Sequence, residues 1–376
     1  MVTGQTQEGL YAGIDLELSW SEAALPQAER TKHVHALHPY LGTFIPQLVE
    51  TFLRRWFRPG ERVYDPFCGS GTTLVEASVF GAHAVGCDIS AFNALLCRVK
   101  TGRYSLPAVE LALRGALDAA CRDGETDERE PGEWARRWWA PRALSELLAY
   151  RSALATLDPQ AREVGSIVLS RAARSARLTT HFDLDFPTTP ATEPYWCFKH
   201  RRTCRPVGEA AKFLRRYTDD TLRRLRAFAA VRTDARVEVF HADARTVPLP
   251  QRLTGVVTSP PYPGLIDYHE QHRYAYELLG LEDLRAAEIG AAARGTARQA
   301  LRDYVAATAE VLAHASAALP RGAPVVIVVN DSRGLYPAIL EASGLELVER
   351  STRHVNRRTG RRQGEFFEDV LVCRTV

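Results

Sequence analysis

The stretch Thr258-Ser259-Pro260-Pro261-Tyr262 places a hydroxyl, a main-chain carbonyl and an aromatic ring close together, groups that accept hydrogen bonds and stack. It follows an apolar run, residues 253–257, that reads as a buried strand. Two consecutive prolines fix φ and remove two backbone donors, so neither a ladder nor a helix continues past them. Ser259, the Pro260 carbonyl and Tyr262 are thus displayed at the carboxyl end of a strand, the edge where open α/β sheets bind ligands. Taken alone, Ser-Pro-Pro-Tyr equally describes a proline-rich loop with a packing tyrosine.

A second stretch upstream runs Arg62-Val63-Tyr64-Asp65-Pro66-Phe67-Cys68-Gly69-Ser70-Gly71-Thr72-Thr73, followed by Leu74-Val75-Glu76-Ala77. An apolar strand enters a Gly-x-Gly turn and then a helix, so backbone N–H groups and the helix amino end face whatever binds above the sheet. No Gly-Lys-Ser/Thr follows, which excludes a phosphate loop, and the third glycine of the dinucleotide fingerprint is missing. His83-Ala84-Val85-Gly86-Cys87-Asp88 reads as the next strand, ending in an acid about 20 residues after the turn, where a ribose-binding carboxylate belongs. Residues 236–243 form a further strand that also ends in an acid, Asp243.

Together these stretches resemble the S-adenosylmethionine site of class I methyltransferases, and with Thr-Ser-Pro-Pro-Tyr the chain resembles the amino-group DNA methyltransferases, which modify N4 of cytosine or N6 of adenine. The resemblance covers residues 33–100 and 236–376. It implies S-adenosylmethionine as cofactor, held by Asp65, Phe67, Cys68, Gly69, Gly71, Thr72 and Thr73, with Asp88 and Ile89 at the ribose and Asp243 and Ala244 at the adenine. Relatives carry a Pro-Tyr-x-Gly segment just before the cofactor loop. Here Pro39-Tyr40-Leu41-Gly42 precedes Thr43 and Phe44, which the resemblance places at the methionine end.

The catalytic set it implies is Ser259, Pro260, Pro261 and Tyr262: the Ser259 hydroxyl and the Pro260 carbonyl accept the hydrogens of the target amine, and Tyr262 stacks on a flipped base. Cytosine-specific relatives usually carry Ser where adenine-specific ones carry Asp or Asn, so Ser259 points to N4 of cytosine in duplex DNA. N6 of adenine is the alternative, and N2 of guanine in RNA a further one. Methylation at C5 of cytosine is disfavoured: Cys68 sits in the cofactor turn and the chain has no Pro-Cys-Gln. A restriction endonuclease acting on the same site is a conceivable companion.

The elements that must position these groups suggest an α/β fold. It is a doubly wound, mostly parallel sheet of about seven strands, the last antiparallel by resemblance, interrupted after its second strand by a helical insertion. The boundaries are residues 1–100 for the cofactor half, 101–235 for the insertion and 236–376 for the catalytic half. Residues 109–120, 141–157, 161–177 and 209–231 show helical spacing of apolar residues, too much structure for a connection, so the insertion reads as a separate subdomain. Because it lies between the cofactor and catalytic motifs, target recognition is assigned to it, as in one subgroup of the resembled enzymes.

At 376 residues, 45% hydrophobic and 25% charged, the composition is that of an ordinary soluble globular protein. No apolar run has membrane-spanning length, residues 1–10 lack signal-peptide character, and seven irregularly spaced cysteines suit a reducing compartment, so the expected location is cytoplasmic. The net charge of +3 excludes a strongly basic chain, but the distribution is uneven. Residues 197–236 hold 12 Lys/Arg against 4 Asp/Glu, and residues 350–363 hold 6 Arg and no acid. Such runs are either solvated faces or phosphate contacts.

In the segment 179–206, Phe182, Phe186, Tyr195, Trp196, Phe198 and His200 interleave with Lys199, Arg201, Arg202 and Arg205, which suits nucleic acid or else an aromatic minicore. The four basic residues, with Arg357 and Arg358, are the candidate DNA contacts. Cys197-x-x-His200-x-x-x-Cys204 has ligand-like spacing but only three ligands, and no acid or cysteine nearby completes His33, His35 and His38. No metal is expected. His269 and His272 are read as capping or phosphate-facing.

Overall fold

In the computed structural model the described residues are 16–21, 23–122, 131–181, 187–355 and 366–376. The first part of the chain runs α1 (Pro46–Trp56), β1 (Arg62–Asp65), α2 (Thr72–Phe80), β2 (His83–Asp88) and α3 (Ala91–Thr101). Next come α4 (Leu106–Arg122), α5 (Glu133–Trp138), α6 (Pro141–Ala155), α7 (Pro159–Ala176), the strands β3 (Tyr195–Cys197) and β4 (Arg202–Cys204), and α8 (Ala211–Ala229). The chain resumes alternation with β5 (Val237–His241), β6 (Gly255–Thr258), α9 (Tyr268–Gln271), α10 (Arg273–Leu279), α11 (Arg298–Ala317), β7 (Pro324–Val329), α12 (Tyr336–Ala342), β8 (Leu345–His354) and β9 (Phe367–Thr375).

Seven strands form one sheet in the order β5-β2-β1-β6-β7-β9-β8. The five strands from β5 to β7 are parallel, and β9 runs antiparallel to both β7 and β8, as expected of the last strand. The unbroken β-branched run of β7 follows from burial on both faces: Val325, Ile327 and Val329 enter one apolar layer with Leu312 and Ile339, while Val326 and Val328 enter the other with Leu48 and Phe52. Chain order reverses at β1, which pairs with β2 on one side and β6 on the other, so a crevice opens beyond the carboxyl ends of β1 and β6.

The helices between β2 and β5 begin with clear local signals. Asp158 caps α7 by accepting from the N–H groups of Gln160 and Ala161, at 3.0 and 3.1 Å, with Pro159 in the first turn. Their apolar stripes do not close on one another alone. Leu113 of α4, Leu147 of α6, Ile167 of α7 and Leu222 of α8 share one cluster with Phe92, Leu95, Leu96 and Val99 of α3. α3 is therefore covered by the sheet on one side and by these helices on the other. Among the described residues no helix is long and apolar enough to cross a membrane.

Candidate active site

The first turn after β1 is shaped by two glycines in the left-handed region, Gly69 at φ +47° and Gly71 at φ +79°. A Cβ on Gly69 would lie 2.9 Å from the Tyr40 hydroxyl, and one on Gly71 2.9 Å from the Cys97 sulfur, so both the conformation and the space require glycine. Below the turn, buried Lys100 donates to the Ser70 carbonyl at 2.6 Å. Burial pushes its ammonium down to about 8.

The acid at the end of β2 is built into this turn. Asp88 accepts from the Gly69 N–H at 2.8 Å, the Ser90 N–H at 2.8 Å and the Asn93 side-chain amide at 3.1 Å. Burial nevertheless raises its pKa to about 6. Asp65, at the end of β1, behaves alike: burial raises it to about 6 although Thr258 donates to it at 2.7 Å and the Phe67 N–H at 3.1 Å. The Thr258 bond ties β1 to β6 across the switch point and fixes where Ser259 begins.

Ser259 lines the same cavity as Gly69, Asp88 and Thr43. Behind it stands a relay of polar contacts. The Tyr262 hydroxyl reaches Ser259 and donates to Glu368 at 3.0 Å, and buried Arg353 donates to the same carboxylate at 3.2 Å. Arg353, counted with the Arg-rich run, is thus an internal residue, and Arg350 likewise pairs with Asp369 at 2.9 Å. Arg357 and Arg358 lie outside the described residues, as do Phe182 and Phe186.

Of the residues singled out from the sequence, Thr43, Phe67, Cys68, Gly69, Asp88, Ile89, Asp243, Ala244, Ser259 and Pro261 line the cavity. Phe44 lies in the apolar layer with Leu48 and Phe52, and Tyr262 packs beside Phe366. Thr72 bonds Thr43 at 3.0 Å and Thr73 donates to the Val257 carbonyl at 3.2 Å, so both brace the walls. Asp243 is gripped by Arg245, which donates to it at 3.0 Å and holds its carboxyl below the usual range. Cys68 is buried, and the neighbouring Cys97 sulfur and burial push its thiol well up, which leaves no nucleophile there.

Tyr40, Asn93 and Tyr268 are among the cavity residues that were not foreseen. Tyr40 stacks on Tyr268, ring centroids 5.6 Å apart, and Asn93 donates to both the Tyr40 hydroxyl and Asp88. Tyr40 belongs to the Pro-Tyr-x-Gly segment, a signal the sequence offered. The other two left none, since they come from the first turns of α3 and α9, far apart in the chain. The Asn93 side-chain carbonyl is buried without a partner at this cavity. An orphaned acceptor, a carboxylate with unused lone pairs and a glycine cradle fit a ligand rich in hydroxyl and amino donors, such as S-adenosylmethionine.

The histidines read as capping or phosphate-facing are neither. His269 is fully buried and pairs with Glu288 at 2.6 Å, and His272 is fully buried between Tyr40 and Phe92. Asp267 caps α9 instead, accepting from the Glu270 N–H at 2.9 Å. Glu76 does reach His35, at 2.6 Å, but Lys32 sits 3.2 Å from the same carboxylate, so an ammonium already neutralises that cluster. The basic face of α8 is also largely spent internally: Arg223 and Arg224 pair with Asp220, and Arg226 with Glu110.

An open seven-stranded sheet with one antiparallel strand, a glycine turn after β1 and an acid ending β2 define a class I S-adenosylmethionine-dependent methyltransferase. Residues 9–95 match the N6/N4 methyltransferase family, described as DNA methylase. Over 443 positions the chain is 34% identical to the type II methyltransferase M.MjaII of Methanocaldococcus jannaschii, covering 95% of this chain and 84% of that protein. Shorter similarities reach M.MvaI, a type II methyltransferase of Kocuria varians, with 39% identity over 18% of this chain and 15% of that one. A tRNA (guanine(10)-N2)-dimethyltransferase of M. jannaschii matches at 42% identity over 14% of each chain. The chain belongs to the S-adenosylmethionine-dependent amino-group DNA methyltransferases.

Proposed function

We propose that this DNA methyltransferase acts on N4 of cytosine in duplex DNA, with the Gly69 turn and Asp88 holding the cofactor and Ser259 and Pro260 receiving the amine. The observation that carries this reading is the placement of Ser259, a hydroxyl and not a carboxylate or amide, on one cavity wall with Gly69 and Asp88. Asp88 suits the ribose hydroxyls and Thr43 the methionine end, with Thr72 and Thr73 bracing the wall behind them. Bound S-adenosylmethionine supplies an electrophilic methyl group.

An exocyclic amine is a poor nucleophile because its lone pair is delocalised into the ring. Ser259 and the Pro260 carbonyl, accepting its two hydrogens, favour the tetrahedral nitrogen that exposes the lone pair, and they fix its direction. Tyr262, packed beside Phe366, serves the same step by orienting Ser259 from behind. A type II restriction endonuclease sharing the recognition site is the companion that the likeness to M.MjaII suggests. Methylating duplex DNA, digesting it to nucleosides and identifying them by mass spectrometry tests the assignment. N4-methylcytosine is expected; N6-methyladenine as the sole product, or transfer only to RNA, overturns the base assignment.

Residues 101–235 are read as the recognition region, and within it Lys199, Arg201, Arg202 and Arg205 are exposed around the β3–β4 hairpin. Replacing Arg201, Arg202 and Arg205 together by Gln is expected to weaken DNA binding. The log–log salt dependence should flatten by about 0.9 for each phosphate that the variant no longer neutralises. An unchanged slope in fluorescence anisotropy titrations would show that these residues only solvate the hairpin.

A further inference from the structure

We propose that His181, Cys197, His200 and Cys204 form a structural zinc site that pins the β3–β4 hairpin to the end of α7. The sequence spacing supplied three of these ligands; the fold brings in the fourth, His181, from the segment just after α7. Each residue offers one ligand atom, and all four atoms lie within 4.8 Å of one another. The hairpin register explains how. Tyr195 pairs with Cys204 and Cys197 with Arg202, so the two cysteines lie on the same face of the ribbon, diagonal to each other. His200 sits in the connecting turn, which Arg201 closes in the left-handed region at φ +51°.

The separations suit a tetrahedral ion. With Zn–S near 2.3 Å and Zn–N near 2.0–2.1 Å, a sulfur and a nitrogen on one zinc lie about 3.5 Å apart. Cys197 Sγ is 3.5 Å from His181 Nδ1, and Cys204 Sγ is 3.4 Å from His200 Nδ1. The two imidazoles meet edge to face at 4.5 Å between centroids, which turns a nitrogen of each toward the sulfurs without stacking the rings. The competing partner is the Tyr195 hydroxyl, 3.1 Å from His181 Nδ1, which also accepts from the His181 main-chain N–H at 3.2 Å.

The hairpin itself calls for such a pin. Two strands of three residues make too little ladder to stand alone in water. Its large side chains give no core either, since Trp196 is 56% exposed and Phe198 82%, whereas the two cysteine sulfur groups are the buried part. Metal binding would supply the folding free energy that burial does not.

The test uses the full chain purified without chelator. Elemental analysis should find one zinc per chain, and replacement by Co²⁺ should give the ligand-field bands of a tetrahedral site with thiolate-to-cobalt charge transfer. The double variant Cys197→Ser, Cys204→Ser should reduce zinc to trace, and His181→Ala should weaken it at least about tenfold. Tyr195→Phe should keep it, since a hydroxyl that merely hydrogen-bonds His181 is not a ligand. Cofactor affinity measured in parallel shows that the variants remain folded. A zinc-free wild-type chain with Cys197 and Cys204 alkylated as fast as exposed thiols, or joined in a disulfide, overturns the proposal. So does full zinc content in the double cysteine variant, which would place the metal elsewhere.

Discussion

Asp88→Ala is expected to weaken S-adenosylmethionine binding by roughly 10- to 150-fold, the worth of about 1.5–3 kcal/mol for hydrogen bonds to an ionised carboxylate. The Gly69 and Ser90 N–H groups and Asn93 hold this carboxylate in place but do not saturate it, so cofactor hydroxyls find lone pairs already aimed. Calorimetry on the purified chain measures the loss, and an unaltered dissociation constant would remove Asp88 from the site. Because burial raises the carboxyl to about 6, cofactor affinity should be flat from pH 7 to 8 and fall as the pH drops through about 6, where the protonated form accepts less well. Asp65 titrates in the same range, so Asp88→Asn, which should level the profile, separates the two. The sign for folding is opposite. A carboxyl raised from 3.8 to about 6 contributes stability below its unfolded value and loses it as the pH rises through 6. The parent should therefore lose this stabilisation between pH 3.8 and about 6, a loss that Asp88→Ala, which has no carboxyl there, should not show in melting profiles.

Ser259→Ala should cut turnover by about 100-fold, the scale seen when one hydrogen-bond partner of a transition state is removed. Cofactor affinity should change little, because the hydroxyl matters most while the amine nitrogen becomes tetrahedral. Single-turnover kinetics with a labelled methyl group reads the chemical step without product release. A rate equal to the parent's would leave the Pro260 carbonyl as sole acceptor and would undercut the argument for cytosine. The neighbouring Tyr262→Phe should give a smaller loss, since it frees Ser259 from the Glu368 and Arg353 relay without removing the acceptor.

What the sequence disclosed followed the range of the interactions. The Gly69–Gly71 turn, the acid ending β2 and the proline stop after β6 are each encoded within a few residues, so they were legible, as was a mostly parallel sheet of about seven strands, while the β3–β4 hairpin was not. Tyr40, Asn93 and Tyr268 were not, because they meet at the cavity only after the distant helices α3 and α9 close over it. Charge was misread for the same reason. Arg226 looks free along α8 until Glu110 of α4 is brought to it, and Arg353 looks like a phosphate contact until Glu368 buries it. His181 lies outside the Cys197-x-x-His200-x-x-x-Cys204 run and joins it only through the fold.

The double coverage of α3 bears on how this enzyme could be rebuilt. The region proposed for recognition is an attractive unit to exchange, yet excising residues 106–229 would strip Phe92, Leu95, Leu96 and Val99 of their cover and leave an oily stripe on the helix that follows Asp88. A chimera would have to bring its own matching helices or resurface that stripe with polar side chains. The same arrangement makes α3 a shared beam between the two halves of the job. Asn93, in its first turn, lines the cavity, while the Phe92, Leu95, Leu96 and Val99 stripe of the same helix carries α4, α6, α7 and α8, with no flexible joint in between.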